Sequence, residues 1–249
     1  MFVHWIFLVS SVTLVSSKGI PGRIVGGHTV SIQSVPWQAS LLKFGRHWCG
    51  AAIYSEDLVI TAAHCVRNSF PGIYSVRVGS TFTTVGGQVV RVSQILAHED
   101  FGPSFSNDIA VLQLRTSLKL GSSVRSIPLA DSTPKAGSSA SVFGWGAIGH
   151  EKPTSQSLLE VEVDIVDKQR CLGSYGQVLT KDMICAAAPG KDACSGDSGG
   201  PLVSNGSLVG IVSFGMKCAH PDYPGVYADV AQLKPWILGA VQRLQSRKN

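Results

Sequence analysis

Several features that would point to other classes of protein are scarce in this sequence. Charged residues make up only 15% of its 249 residues, and the net charge of +5 is dispersed, with no block of lysine or arginine. Proteins that bind nucleic acid or anionic membranes usually carry such blocks, so neither partner is expected. The chain is nevertheless long enough to bury a sizeable core in one or two domains.

Cysteine is absent from residues 1–48 and occurs six times after them. No C-x-x-C pair is present, and no cysteine pair lies near histidines at zinc-ligand spacing, so we expect no metal site and no cofactor. An even count behind a secretory leader is typical of disulfides, although spacing alone leaves fifteen pairings open. The six residues are Cys49, Cys65, Cys171, Cys185, Cys194 and Cys218.

The apolar run at the start of the chain, Phe2 to Val15, is too short to span a bilayer comfortably. A buried strand is one interpretation of it. An apolar stretch followed by Val15-Ser16-Ser17 is more typical of a secretory signal peptide. We therefore predict that residues 1–17 are a signal peptide and that the protein is secreted to the extracellular space.

Long helical periodicity is scarce, whereas 27 glycines recur between short apolar runs. In the clearest run, 158–166, Leu159, Val161 and Val163 alternate with acidic residues, the period of two that marks a half-buried strand. Such runs at about ten-residue spacing predict a β-barrel or β-sandwich. The runs are 37–42, 58–63, 74–79, 89–96, 108–114, 158–166, 207–215 and 225–230.

One helix is predicted near the C-terminus. It would begin at Pro235, a favoured first helical residue, with apolar residues at helical spacing on one face. Earlier in the chain, residues 126–141 are rich in proline, glycine and serine. This composition is typical of a link between two β units.

Three motifs supply a histidine, an aspartate and a serine in that order: His64 ends "LVITAAH", Asp108 lies in "SNDIAVLQL", and Ser198 lies in "GDSGGP". A serine hydroxyl is a poor nucleophile unless a histidine takes its proton and a carboxylate holds the imidazolium. Singly, each has an ordinary explanation as a strand-end histidine, a turn-capping aspartate or a turn serine. Together they indicate acyl transfer by serine.

With "RIVGG" at 23–27 and "GWG" at 144–146, these motifs resemble the trypsin-like branch of the chymotrypsin-type serine proteases. The resemblance extends over residues 24–249. It implies an all-β fold of two packed antiparallel six-stranded β-barrels with a C-terminal helix. Residues 24–130 would form the first barrel and residues 131–249 the second barrel together with the helix.

The resemblance also implies the catalytic roles. Ser198 would be the nucleophile, His64 the general base and then acid, and Asp108 the orienting carboxylate. The backbone N–H groups of Gly196 and Ser198 would form the oxyanion hole. The protein would be an endopeptidase acting on protein or peptide substrates, a monomer and a target of protein protease inhibitors.

Two aspartates near Ser198 receive different roles from the resemblance. Cleavage after Arg23 would free the ammonium group of Ile24 to pair with Asp197, so the chain would be a zymogen with residues 18–23 as its propeptide. Asp192 would form the floor of the pocket that recognises a substrate Arg or Lys.

Neighbouring residues would shape that pocket. Gly215 and Gly225 match the wall positions, where small residues leave it open. Ala193 replaces a serine that many relatives carry, and its lost hydroxyl favours arginine over lysine. Ser213 would donate a hydrogen bond to Asp108. Phe214 would form an apolar platform beside the pocket. Phe214 replaces the family's tryptophan, and Lys217 near the rim would disfavour a basic residue upstream of the cut.

The resemblance further implies the disulfides Cys49–Cys65, Cys171–Cys185 and Cys194–Cys218. Some relatives bind calcium in a loop of the first barrel, but residues 77–92 contain no acidic residue, so no calcium is expected there. Asn205 begins a glycosylation sequon.

Two other functions would produce part of this pattern. A non-catalytic homologue that binds a partner would share the scaffold, although such proteins usually lack a triad residue, and all three are present. A lipase or esterase would match "GDSGG" as G-x-S-x-G. Such an enzyme would have the order Ser, Asp, His and alternating helices, and the sequence has neither.

Overall fold

The structure is a computed structural model that describes residues 25–246. The predicted signal peptide and propeptide, and with them Arg23 and Ile24, lie outside the described residues. Within the described range, no helix has the length and apolar character needed to cross a membrane. Its strands are β1 (His28–Thr29), β2 (Gln38–Lys43), β3 (Arg46–Ile53), β4 (Leu58–Thr61), β5 (Tyr74–Val78), β6 (Gln88–Ala97), β7 (Ala110–Leu114), β8 (Ser139–Gly144), β9 (Leu159–Ile165), β10 (Met183–Ala187), β11 (Pro201–Ser204), β12 (Ser207–Phe214) and β13 (Gly225–Asp229). Its helices are α1 (Ala63–Val66), α2 (Lys168–Tyr175) and α3 (Val230–Ser246).

The first barrel closes in the order β2-β3-β4-β7-β6-β5. Alternation along the strands decides which side chains point inward, as in β5, where Tyr74, Val76 and Val78 are buried while Ser75 and Arg77 are partly exposed. Closure of the ring leaves no sheet edge unpaired.

The second barrel runs β9-β10-β13-β12-β11-β8 and closes through the pairing of β8 with β9. The predicted alternation in β9 is present, with Leu159, Val161, Val163 and Ile165 buried and Glu162 and Asp164 exposed. The two closed six-stranded antiparallel barrels and the helix α3 confirm the predicted fold class.

Each end of the described chain packs on the other barrel. The short strand β1 pairs with β9 of the second barrel. Helix α3 packs against β6 and β7 of the first barrel as well as β12. Its Leu233, Ile237 and Leu244 belong to the same buried cluster as Ile109 and Leu112 of the first barrel. Both segments therefore tie the two barrels together.

The prediction that the C-terminal helix begins at Pro235 is wrong. Helix α3 begins at Val230, and Pro235 lies inside it. The Asp229 carboxylate accepts hydrogen bonds from the backbone N–H groups of Ala231 and Gln232, at 3.0 and 3.3 Å. This cap satisfies N–H groups that the first turn leaves free, so the helix starts five residues earlier.

The structure also contains elements that the sequence runs did not predict, among them β3, β8, β10, β11 and α2. Strand β8 begins at Ser139, inside the stretch interpreted as a link. Helix α2 was not predicted, and it too has an aspartate cap, because Asp167 accepts from the N–H groups of Gln169 and Arg170.

Candidate active site

His64 is held by the turn that follows β4. It lies in the four-residue helix α1, and its backbone N–H donates to Oδ1 of Asp108 at 2.9 Å. Its ring Nδ1 lies 2.7 Å from Oδ2 of the same carboxylate. Both oxygens of Asp108 thus bind one residue, which fixes the orientation of the imidazole and leaves Nε2 as the atom that could accept a proton.

Asp108 is fully buried, just before β7. Besides the bonds to His64, its Oδ2 accepts a 2.6 Å hydrogen bond from the hydroxyl of Ser213 on β12. A buried carboxylate is tolerated when its oxygens are hydrogen-bonded. Since Ser213 belongs to the second barrel and Asp108 to the first, this carboxylate also joins the barrels at the site.

Ser198 lies in the loop between β10 and β11, lining the same cleft as His64. Its carbonyl accepts a 2.8 Å hydrogen bond from the N–H of Gly50, and the carbonyl of Gly50 accepts one from the Thr61 hydroxyl, also at 2.8 Å. Gly50 therefore links the serine loop to β4, from which His64 follows. Sequence reasoning missed this residue.

The hydroxyl of Ser198 and the imidazole of His64 face one cleft without a hydrogen bond between them in the described structure. Nε2 of His64 lies 3.7 Å from Sγ of Cys65. In unliganded enzymes the hydrogen bond between the nucleophile and its base is often long, and it tightens only when substrate binds.

The loop before Ser198 is anchored by His47, a residue that no sequence motif marks. Nε2 of His47 is 3.0 Å from the carbonyl oxygen of Gly196, and Nδ1 is 2.7 Å from Oγ of Ser40. Burial lowers the pKa of His47, although the Gly196 carbonyl partly opposes this. Gly196 has a φ of +99°, where a side chain would be strained, so glycine is needed at this predicted oxyanion residue.

Asp197 is fully buried, and its carboxylate accepts hydrogen bonds from the N–H groups of Gly146 and Cys194, at 2.7 and 3.0 Å. Burial raises its pKa to about 7 despite these bonds. A Cβ at Gly144 or Gly146 would overlap this carboxylate, which explains both glycines of the "GWG" motif. Among residues 25–246 no cation forms an ion pair with Asp197.

The first described residue, Val25, lies beside the specificity loop. It forms an antiparallel bridge with Asp192, whose N–H is 3.4 Å from the Val25 carbonyl. The residues before it, Ile24 and Arg23, fall outside the described range. Val25 therefore lies next to the loop that carries both aspartates.

Asp192 lies at the base of the cleft and is only 4% exposed. Its Oδ2 accepts a 2.9 Å hydrogen bond from the N–H of Ala219, while Oδ1 has no hydrogen-bond partner among the described residues. Burial raises the pKa of this carboxyl to about 6, with nearby backbone N–H groups partly opposing the effect. The hydroxyl of Tyr227 nearby also lacks a hydrogen-bond partner within residues 25–246. A cation with several N–H donors would satisfy both groups.

The pocket stays open because of two glycines. A Cβ at Gly225 would lie 2.8 Å from Oδ1 of Asp192, and one at Gly215 would meet only the Cα of Gly225, at 3.9 Å. Ala193 also lines this space. The structure thus brings the predicted pocket residues together around one acidic base.

Aromatic residues form the neighbouring wall of the cleft. The Phe214 ring contacts Phe105 at 5.4 Å and Tyr175 at 5.6 Å between centroids, and Phe105 contacts the His64 ring at 5.6 Å. Lys217 lines the same cleft. Phe105 and Tyr175 were not predicted, since no short motif marks them and only the fold brings them to Phe214.

Three disulfides link all six cysteines: Cys49–Cys65, Cys171–Cys185 and Cys194–Cys218. These are the pairs that the resemblance implies. A cluster of possible metal ligands in the described chain comprises Cys49, His64 and Cys65, but both sulfurs are in a disulfide and offer no thiolate. Asn205 is exposed in the turn between β11 and β12.

Comparisons with known proteins agree with this geometry. The sequence model of the Trypsin family matches residues 24–237. Trypsin alpha of Drosophila melanogaster is 47% identical over 230 residues, covering 90% of each chain, and trypsin beta of Drosophila erecta is 45% identical over 249 residues, covering 95% of this chain and 98% of its own. The solved structure of neuropsin, a serine protease expressed in the limbic system of mouse brain, is similar with a TM-score of 0.81 and 34% identity, over 86% of this chain and 98% of that one. The chain therefore belongs to the trypsin family and is a trypsin-like serine endopeptidase.

Proposed function

We propose that this endopeptidase is secreted as a monomeric zymogen and, once activated, hydrolyses peptide bonds after arginine or lysine. The observation that carries the specificity is Oδ1 of Asp192, which has no hydrogen-bond partner among the described residues and lies buried at the base of the cleft that Ser198 and His64 also line. A buried carboxylate without a full set of partners is costly. A guanidinium or ammonium group of the substrate would remove that cost.

The chemistry follows from the three residues at the mouth of this pocket. The hydroxyl oxygen of Ser198 attacks the carbonyl carbon while Nε2 of His64 takes its proton, and Asp108 stabilises the imidazolium through Nδ1. The N–H groups of Gly196 and Ser198 stabilise the negative oxygen of the tetrahedral intermediate. His64 then gives its proton to the leaving amine, and water releases the acyl group from Ser198 by the same steps.

Arginine is expected to be preferred over lysine. Ala193, beside Asp192, offers no hydroxyl as a second acceptor for a compact ammonium group. A guanidinium is wider and can donate two N–H groups to one carboxylate. Matched arginine and lysine substrates test this, and a higher kcat/KM for lysine would overturn it.

Activation is expected to depend on Asp197. This carboxylate is buried with two N–H donors and no cation among the described residues, and its raised pKa reflects that imbalance. Cleavage after Arg23 would give Ile24 an ammonium group, and pairing with Asp197 would stabilise the loop that holds Gly196 and Ser198. If arginine is preferred, Arg23 is itself a suitable site for a second copy of the enzyme.

The test is amide hydrolysis before and after cleavage at Arg23, on peptides that differ only in Arg, Lys, Phe or Ala at the cut. Activity should appear only after cleavage and only with Arg and Lys. Ser198→Ala should lower kcat by about 10⁵-fold or more. A cleaved protein no more active than this variant would instead support a non-catalytic binding role.

A further inference from the structure

Asp108 is the central residue of a tight turn that leads into β7. The N–H of Ile109 donates to the carbonyl of Asn107 at 2.8 Å, so the bond spans Asp108 itself. Three-residue turns of this kind are common at the ends of strands. We call residues 107–109 the Asn107 turn. Because Asp108 lies at its centre, the direction of the Asp108 side chain depends on how the turn is held.

Asn107 has an uncommon backbone conformation. Its φ is +56°, in the left-handed region that most side chains avoid and that asparagine tolerates best after glycine. The amide NH₂ group of its side chain donates to the carbonyl of Asp100 at 3.3 Å. A rotation at Asn107 would change the direction in which the chain enters Asp108, and the turn therefore needs an anchor.

That anchor comes from the second barrel. Oδ2 of Asp182 accepts a hydrogen bond from the backbone N–H of Asn107 at 2.6 Å, across 75 residues of sequence. Asp182 comes directly before β10 and is only 6% exposed. A hydrogen bond to an ionised carboxylate is shorter and stronger than one between neutral groups. The Asn107 turn of the first barrel is thus tied to a fixed point on the second.

Asp182 is itself held firmly. Its carbonyl accepts a 2.8 Å hydrogen bond from the N–H of Asp229, the residue that caps α3. Nζ of Lys168 donates to the carbonyls of Thr180 and Met183, at 2.7 and 2.9 Å, and so holds the segment on either side of Asp182. Burial lowers the pKa of Lys168, and the charges of Asp229 and Asp182 oppose this. The anchor therefore belongs to a rigid part of the second barrel.

The second barrel consequently reaches Asp108 in two places. Ser213 donates its hydroxyl directly to Oδ2 of Asp108 at 2.6 Å. Asp182 acts one residue earlier, on the backbone of Asn107. Since Ser198 also belongs to the second barrel, both bonds fix Asp108 of the first barrel relative to the element that carries the nucleophile.

We propose that Asp182 is a positioning residue for the reaction, which holds the Asn107 turn so that Asp108 keeps both of its hydrogen bonds to His64. This inference rests on the proposed function, because it concerns the carboxylate that stabilises the imidazolium there. The imidazolium forms only during the chemical step, whereas the substrate side chain binds at Asp192. Loss of Asp182 should therefore lower kcat and leave KM unchanged.

The kinetic test uses an arginine amide substrate and the activated enzyme. Asp182→Ala should lower kcat about tenfold while KM and the affinity for benzamidine stay within about twofold, because a small displacement of a catalytic group is costly. Asp182→Asn keeps a side-chain oxygen that can accept the Asn107 N–H, and it should retain at least about a third of kcat. Asp182→Ser, one atom too short to reach that N–H, replaces the alanine variant if the latter does not fold, and it should show the same loss.

The matched control is Asp229→Ala. It removes a carboxylate that is as deeply buried, at 2% exposure, and that accepts the backbone N–H groups of Ala231 and Gln232. The side chain of Asp229 makes no hydrogen bond to the Asn107 turn in the described structure. This variant should melt at a lower temperature than the wild type and keep its kcat.

A spectroscopic readout follows the Asp108–His64 bond without catalysis. In proton NMR at a pH where the imidazole is protonated, the proton between Nδ1 of His64 and Oδ2 of Asp108 should resonate far downfield of the amide protons, because the bond is short and its acceptor is charged. Its loss in Asp108→Ala identifies it. In Asp182→Ala this resonance should move upfield or broaden, whereas Asp182→Asn should leave it in place.

The outcomes separate this inference from the proposed function. Activated wild-type protein that cleaves no arginine or lysine substrate would overturn the proposed function, and the resonance would still report on Asp182. An unchanged kcat and an unmoved resonance in Asp182→Ala would overturn the role of Asp182 alone. Equal losses of kcat in the alanine and asparagine variants, or in Asp229→Ala, would also overturn it, since loss of charge or of stability would then explain the effect.

Discussion

Binding of a cationic ligand in the Asp192 pocket should depend on pH through that carboxyl. Burial raises its pKa from 3.8 to about 6 when the pocket is empty. A bound amidinium stabilises the ionised form and lowers the pKa again. The affinity for the cationic ligand should therefore be highest above about pH 7 and fall as the pH drops through about 6, because the cation must then displace a proton.

The size of the effect follows from the ionised fraction. With a pKa of about 6, Asp192 is ionised in about nine molecules in ten at pH 7 and in about one in ten at pH 5. The dissociation constant of benzamidine, which stays a cation over this range, should rise about tenfold between these pH values. If the carboxyl titrated at its ordinary value of 3.8, the constant would change by less than about a tenth.

Isothermal titration calorimetry of the activated protein measures both the affinity and the protons released. At pH 6 about half a proton should leave per benzamidine bound, as seen by comparing buffers of different ionisation enthalpy. Benzyl alcohol, a neutral ring of similar size, controls for a change of pocket shape caused by Asp197, and Asp192→Asn should make the benzamidine profile flat. A dissociation constant that is unchanged from pH 7 to pH 5 would refute the reasoning.

Three further substitutions test separate parts of the structure. Gly146→Ala should abolish activity even after normal activation cleavage, because the new Cβ overlaps the Asp197 carboxylate. A burst titration that finds as many active sites as in the wild type would contradict this. Gly225→Ala should lower kcat/KM for arginine substrates by about a hundredfold, because the new Cβ would lie 2.8 Å from Oδ1 of Asp192. Unchanged kinetics would disprove the pocket geometry. Asp229→Ala should lower the free energy of unfolding by about 1 kcal/mol, because the α3 cap is lost. Asp229→Asn keeps a side-chain oxygen and should lower the free energy of unfolding by less. Equal thermal denaturation curves for the wild type and both variants would count against the cap.

The sequence predicted those strands in which buried and exposed residues alternate visibly along the chain itself. In β9 each inward residue is apolar and each outward one acidic or polar, so its period is visible without the fold. Strand β3 was missed because Arg46 to Gly50 mixes exposed and buried positions without a regular period. Strand β8 was missed because its first half, Ser139 to Ser141, consists of small residues typical of a link, and only Ala140 among them is buried. In both, pairing with neighbouring strands overrides weak local preference.

The candidate site divides in the same way. His64, Asp108 and Ser198 lie in short motifs, so their residue types and order could be recognised from the sequence. Other site residues act through partners 100 or more residues away, or through ring contacts that only the folded chain creates; these are His47, Gly50 and Phe105. His47, for example, is separated by 149 residues from Gly196. No local pattern marks such residues. Their functions follow from geometry alone.

Helix α3 has a consequence for how the protein is made. Ribosomes release the chain from its N-terminus, so the first barrel emerges long before residues 233–244 that cover part of its core. Until then Ile109 and Leu112 lack the partners against which they pack in the finished protein, and the apolar surface beneath α3 stays open to other chains. The first barrel can therefore begin to fold early but can be completed only when nearly the whole chain has been synthesised.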